Sequence, residues 1–117
     1  MISVISTAIS VSDLKKEADT VFGDMVKAVV DVQREIMAIN GELHADEEAL
    51  LMQQGSAQSN LWGINLYPDM FGTKDWLEFD SMINLRPSGG NRTRGVDDAK
   101  TQQRIIKVVE KLVQKDQ

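Results

Sequence analysis

Two stretches of alternating apolar residues, each closed by a proline, constrain the fold more than anything else in the chain. In Leu61–Tyr67 the even positions Trp62, Ile64 and Leu66 are large and apolar; the odd ones include Gly63, Asn65 and Tyr67, and Pro68 follows. In Trp76–Arg86 the odd positions Leu77, Phe79, Ile83 and Leu85 are apolar. The even ones include Glu78, Asp80, Asn84 and Arg86, and Pro87 follows. A period of two marks a strand with one face on a core, and proline, which has no N–H to give, ends it. Joined through residues 68–75, the stretches predict a hairpin whose polar side chains share one face.

The rest of the chain supplies further strands and helices. Residues 2–9 are β-branched and loosely alternating, as in a short strand. Ser10 or Ser12 can cap a helix that places Leu14, Ala18, Val21 and Phe22 on one face, with Gly23 at its left-handed end. Over residues 24–39 three readings compete: a hairpin turning at Gln33-Arg34, one long bent strand, or a helix with Met25, Val29, Val32 and Ile36 aligned. The valine content and the closing Asn40-Gly41 turn favour strands. Asp46–Gln54 reads as a helix with Leu50 and Leu51 inward, stopped at Gly55. Asp97 or Asp98 caps a last helix over about 98–113, whose inward stripe is Ile105, Val108, Val109 and Leu112. The order β-α-β-β-α-β-β-α predicts one α+β domain over residues 1–117, an antiparallel sheet of about four to five strands with two to three helices packed on one face.

Composition narrows the function. With no cysteine there is no disulfide, no thiolate nucleophile and no zinc–thiolate site. No apolar run approaches bilayer length, and the N-terminus has no Lys or Arg ahead of its weakly apolar stretch, so a cytoplasmic location and no membrane partner are expected. A net charge of −5 argues against nucleic acid as a partner. The charge is uneven: residues 1–85 carry 14 acidic and 5 basic side chains, residues 86–117 carry 4 and 8.

The hairpin's polar face is the first candidate site. Asp and Asn are depleted in strands, yet the face would show Asn65, Glu78, Asp80, Asn84 and Arg86, with a gap at Gly63 where a ligand could approach. Amides offer donors and acceptors, and arginine offers a planar fork for a carboxylate or phosphate. The same residues also suit an internal network, with Asp80 or Glu78 paired to Arg86 or a lysine and Asn84 holding a loop. The following loop, PSGGNRTRG, has the glycines of an anion cradle together with Arg92 and Arg94, but it matches no phosphate-loop pattern, and Asp97 and Asp98 would oppose an anion there. The ligand-binding candidates are therefore Asn65, Asp80, Asn84, Arg86, Arg92 and Arg94.

The one histidine gives a second candidate. His44 and Glu48 are spaced i, i+4 with Asp46 or Glu47 nearby, an arrangement open to an oxygen-preferring Mg²⁺ or Mn²⁺. The competing reading is that Asp46, Glu47 and Glu48 merely complement a helix N-terminus. No cofactor is expected, and no G-x-S-x-G elbow supports a serine triad. Met70-Phe71, at the hairpin tip, suits a protein contact or a homodimer.

The segments FGDMVKAVVDVQREIMAINGELHADEEALL, GSAQSNLWGINLYP and FDSMINLRPSGGNRTRG resemble a family of small bacterial and archaeal proteins known only as a domain of unknown function. The resemblance spans roughly residues 20–113 and implies a stand-alone single-domain protein without naming any chemistry. Two function classes fit these observations. One is a binding or interaction module that takes a small anionic ligand or a protein partner on the polar hairpin face. The other is a small metal-assisted hydrolase using His44 and nearby carboxylates.

Overall fold

The computed structural model describes residues 1–117. In chain order the elements are β1 (Ser3–Ile5), β2 (Ile9–Ser10), α1 (Val11–Asp19), β3 (Val26–Asp31), β4 (Ile36–Ile39), α2 (His44–Gln53), β5 (Leu61–Leu66), β6 (Leu77–Glu78), α3 (Ala99–Leu112) and β7 (Val113–Gln114). The chain thus adopts the expected α+β fold. Five strands form one sheet in the order β1-β4-β3-β5-β6, every neighbouring pair antiparallel. β2 and β7 form a separate parallel pair that ties the start of α1 to the end of α3. No helix is long and apolar enough to cross a membrane.

Strand parity assigns the two faces of the sheet. Val26, Ala28, Val30, Met37, Ile39, Ile64 and Leu66 point to the main core and meet Leu14 and Ala18 of α1 and Ile105, Val108, Val109 and Leu112 of α3. The opposite parity places Val29, Ala38 and Leu61 in a smaller cluster with Leu51 of α2. Two helices therefore cover one face and the third covers the other. The caps are those the sequence provides: Ser10 Oγ accepts from Asp13 N, and the Asp98 carboxylate accepts from Thr101 N at 2.9 Å.

Residues 24–39 form a hairpin, neither a helix nor one long strand. The buried Asp31 carboxylate accepts the N–H groups of Gln33 and Arg34, both at 2.9 Å, and Glu35 turns through a positive φ of 57°. This is the local bonding by which an aspartate closes a turn.

Three expectations need correction. The stretch 2–9 is two short strands rather than one. The helix expected from Asp46 begins at His44, which turns His44, Glu47 and Leu51 inward and leaves Leu50 only half-buried. The strand expected over 76–86 is only two residues long. Asn65 faces Glu78 and Leu66 faces Leu77, and Tyr67 N still bonds Trp76 O, but the chain then leaves the sheet and forms a tight turn at Met82–Asn84. The reason lies at Gly63. The gap there is filled by Ser81: a Cβ on residue 63 would stand 2.5 Å from the Ser81 Cβ and Oγ. Beside it the Asn84 side chain accepts from Gly63 N and donates to Gly63 O, both at 2.9 Å. One amide thus replaces the strand that alternation predicted along this part of β5.

Candidate functional site

With α2 packed on the second face, the sheet ends in a polar layer. Lys27 on β3, Asn65 on β5 and Glu78 on β6 lie opposite one another in register and form a row across three strands. The Glu78 carboxylate accepts from Asn65 Nδ2 at 2.8 Å and from the Tyr67 hydroxyl at 3.0 Å. Asn65 is buried, and its Oδ1 has no partner. Lys27 is half-buried and joins no ion pair or hydrogen bond; its ammonium stands 5.7 Å from the centre of the Phe22 ring, close enough for a cation–π attraction. The Lys27 ammonium reaches solvent, but an unpartnered buried amide oxygen such as Asn65 Oδ1 is unusual, because buried polar groups ordinarily find partners.

Above the row, α2 contributes His44 and Glu47, one turn apart on the same face. His44 Nε2 lies 2.8 Å from the carbonyl of Ile64. A carbonyl only accepts, so Nε2 carries the proton. Burial holds the His44 pKa below its usual value, against the bond to Ile64 and the charge of Asp80 and with the help of the cationic Lys27 and Arg94. The ring is therefore neutral at pH 7 and its Nδ1 is a bare acceptor. Glu47 is fully buried. Its Oε2 accepts from Gly41 N at 3.0 Å, its Oε1 has no partner, and a Cβ at Gly41 would come 2.8 Å from its Cγ. Burial pushes this carboxyl up to about 9, although Gly41 N–H and Lys27 act the other way, so Glu47 is a neutral acid at pH 7.

The candidates named from sequence divide into two groups. Asn65, Asp80, Arg94 and His44 come together at this end of the sheet. Asp80 and Arg94 form an ion pair at 2.7 Å, half open to solvent, whose charges both reach His44. Asn84 and Arg86 hold the structure elsewhere. Asn84 donates to Arg94 O as well as to Gly63 O. Arg86 caps Leu61 O, donates to Ile83 O at 3.2 Å, lies 4.5 Å from the Trp62 ring centre and faces Glu48 at 3.9 Å. The pairing of Arg86 with Asp80 or Glu78 considered from sequence does not occur, because the chain has left the strand before it reaches residue 86.

The loop at 87–95 is organised around an anion of its own. The Asp97 carboxylate accepts from Arg92 N at 2.7 Å and from the Thr93 hydroxyl at 2.5 Å, bonds that hold its pKa below the usual carboxylate range. Asn91, buried, donates to Asn84 O, Thr93 O and Gly95 O and accepts from Asp97 N. The side chain of Arg92 is exposed. His44, Asp46 and Glu48 do not gather: Asp46 is exposed, Glu48 faces Arg86, and no three His, Cys, Asp or Glu side chains are placed to hold a metal ion. Lys27 is not among the residues singled out from sequence, and Glu47 is named there only as a carboxylate near His44 or a partner of the helix dipole, not as a buried acid. The signal for Glu47 is the i, i+3, i+7 spacing of His44, Glu47 and Leu51, which marks one helix face.

Fold and site together define a small α+β protein with a polar patch between a helix N-terminus and the end of a sheet. The chain belongs to the family described as protein of unknown function (DUF5674), whose model matches residues 3–112. No curated protein and no solved structure matches it.

Proposed function

We propose that the chain is a binding module for a small anion that also carries a hydrogen-bond donor, held at the Lys27–Asn65–His44 patch. The observation that carries this reading is the unmet capacity of three adjoining groups. The Lys27 ammonium has no counter-charge, Asn65 Oδ1 has no donor, and the neutral His44 offers a free Nδ1. The anionic end of the ligand would meet Lys27, and an O–H or N–H beside it would meet His44 Nδ1 or, where the ligand displaces the side chains that enclose it, the buried Asn65 Oδ1. Asp80 and Arg94 would form the solvent-facing rim. The second reading is an enzyme in which His44 acts as a base through Nδ1; it draws on the fixed tautomer of the ring. Its metal-assisted form has no support in the placement of the carboxylates.

A thermal-shift screen tests the reading, because a ligand of the native state raises the melting temperature by mass action. Glycolate carries both an anion and a donor; acetate carries only the anion. We expect glycolate to stabilise the protein more than acetate at equal concentration and ionic strength, and Lys27→Met to abolish the difference. Equal responses to the two acids, or a response unchanged in Lys27→Met, would overturn it.

A further inference from the structure

On the face of the sheet that carries α3, between the loop after β5 and that helix, lies a cleft of about 440 Å³. Its walls are Phe71, Trp76, Leu77, Phe79, Ile106 and Val109. Phe71 and Trp76 meet edge to face, with ring centres 4.9 Å apart and planes at 77°. This corrects the expectation of an exposed Met70-Phe71 tip: Met70 is exposed, but Phe71 is turned in as a wall. Phe71, Trp76, Leu77 and Phe79 pack on the main core with their inner surfaces, and each is still half-buried rather than buried, so their outer surfaces remain uncovered. The chain offers nothing to fill the space. Gly72 stands on the lining with a positive φ of 86°, and nothing lies within 4 Å of where its Cβ would be. The volume falls within the about 300–1,000 Å³ of small-molecule sites, which are concave, mostly apolar and carry a few polar groups.

The polar groups at this cleft are two charges of opposite sign. Lys74 and Glu110 both line it, both are exposed, and neither is in an ion pair with the other or with any other residue. An apolar anion would meet Lys74 but face Glu110, and an apolar cation would do the reverse. A zwitterion with an apolar body matches both. We propose that this cleft is a second binding site, separate from the polar patch, for a small zwitterion with an aromatic or large aliphatic body, the chemistry of an apolar amino acid. The body lies against Phe71, Trp76 and Ile106, the carboxylate faces Lys74 and the ammonium faces Glu110. Rim charges contribute modestly, so the body supplies most of the affinity and the charges select among bodies of the same shape.

Three compounds with one body separate these effects: phenylalanine, 3-phenylpropanoate and phenethylamine. The indole N–H signals of Trp76 and Trp62 in a ¹⁵N-correlation spectrum give the readout, assigned with Trp62→Phe. Trp76 lines the cleft and Trp62 does not, so Trp62 serves as an internal control. Phenylalanine is expected to shift the Trp76 signal saturably, at least threefold more tightly than either of the others, and to leave Trp62 in place. Lys74→Gln and Glu110→Gln, both at exposed positions, should each remove that preference while the body still binds, and Ile106→Lys should abolish binding. Lys27→Met should change nothing here, so failure of the polar-patch reading leaves this one standing. No saturable shift with any of the three, or equal affinities for all three, would overturn the proposal. So would a Trp76 signal that moves on dilution without ligand, which would show a second copy of the chain in the cleft.

Discussion

Glu47 gives the most quantitative prediction. Its carboxyl ionises near the ordinary 4.5 in the unfolded chain but only at about 9 in the folded one. The folded state therefore holds a proton that the unfolded state releases, and stability falls as pH rises between those two values. Below pH 4.5 both states are protonated and this loss is absent; above about 9 it is complete. Each pH unit between them costs about 1.4 kcal/mol, so at pH 7.5 the native state has lost about 4 kcal/mol relative to a neutral side chain of the same shape. Glu47→Gln is such a side chain: its oxygen can accept from Gly41 N, and its amide nitrogen takes the place of the unpartnered Oε1. Urea unfolding of both proteins at pH 5, 6.5 and 8 isolates the effect, because the other titrating groups are common to both. The variant should be close to wild type at pH 5 and gain by about 1.4 kcal/mol per unit thereafter. A difference that stays flat from pH 5 to 8 would show that Glu47 is ionised in the folded protein and refute the argument.

Two further substitutions probe how the residues that leave the sheet are held. Gly63→Ala drives a methyl to 2.5 Å from the Ser81 Cβ and Oγ, and should cost about 1–3 kcal/mol as overpacking does; Ser81→Gly in the same chain should recover part of that loss in a thermal melt, and no recovery would place the damage elsewhere. Arg86→Lys keeps the charge but loses the guanidinium held over the Trp62 ring and the fork shared by Leu61 O and Ile83 O. It should lower the melting temperature while leaving the response to glycolate unchanged; a lost response with intact stability would move the binding site to Arg86.

The sequence carried the architecture where packing and local chemistry agree. The even positions of β5, Val26 and Val30 of β3 and the stripe Ile105, Val108, Val109 and Leu112 all face the main core, as their period requires. It failed where a side chain took over the work of the backbone. Alternation ran on to residue 86, but Asn84 supplies the hydrogen bonds of a strand partner to Gly63, and Ser81 fills the space that Gly63 leaves. No periodic signal distinguishes an amide used in this way from one on a solvated face. At the candidate site, Asn65 was legible from its strand parity and His44 from its rarity. Glu47 was not, because three acids in the first turn of a helix read as partners of the helix dipole, and only the earlier start of α2 at His44 turns one of them into the protein. Arg94 was named for a phosphate cradle and instead pairs with Asp80, while the backbone N–H of Arg92 is taken by Asp97.

The central claim, that the Lys27–Asn65–His44 patch binds a small anion carrying a donor, is tested most directly by the side-chain amide signals of Asn65 in a ¹⁵N-correlation spectrum during a glycolate titration. Asn65 Nδ2 is tied to Glu78, and its Oδ1 is buried without a partner, so a donor that reaches the oxygen should move both amide protons. A saturable shift of the Asn65 amide is expected, absent with acetate at the same ionic strength and absent in Lys27→Met, while the Asn84 and Asn91 amides stay in place. An Asn65 amide that does not move, or that moves equally with acetate or in the Lys27 variant, would contradict it.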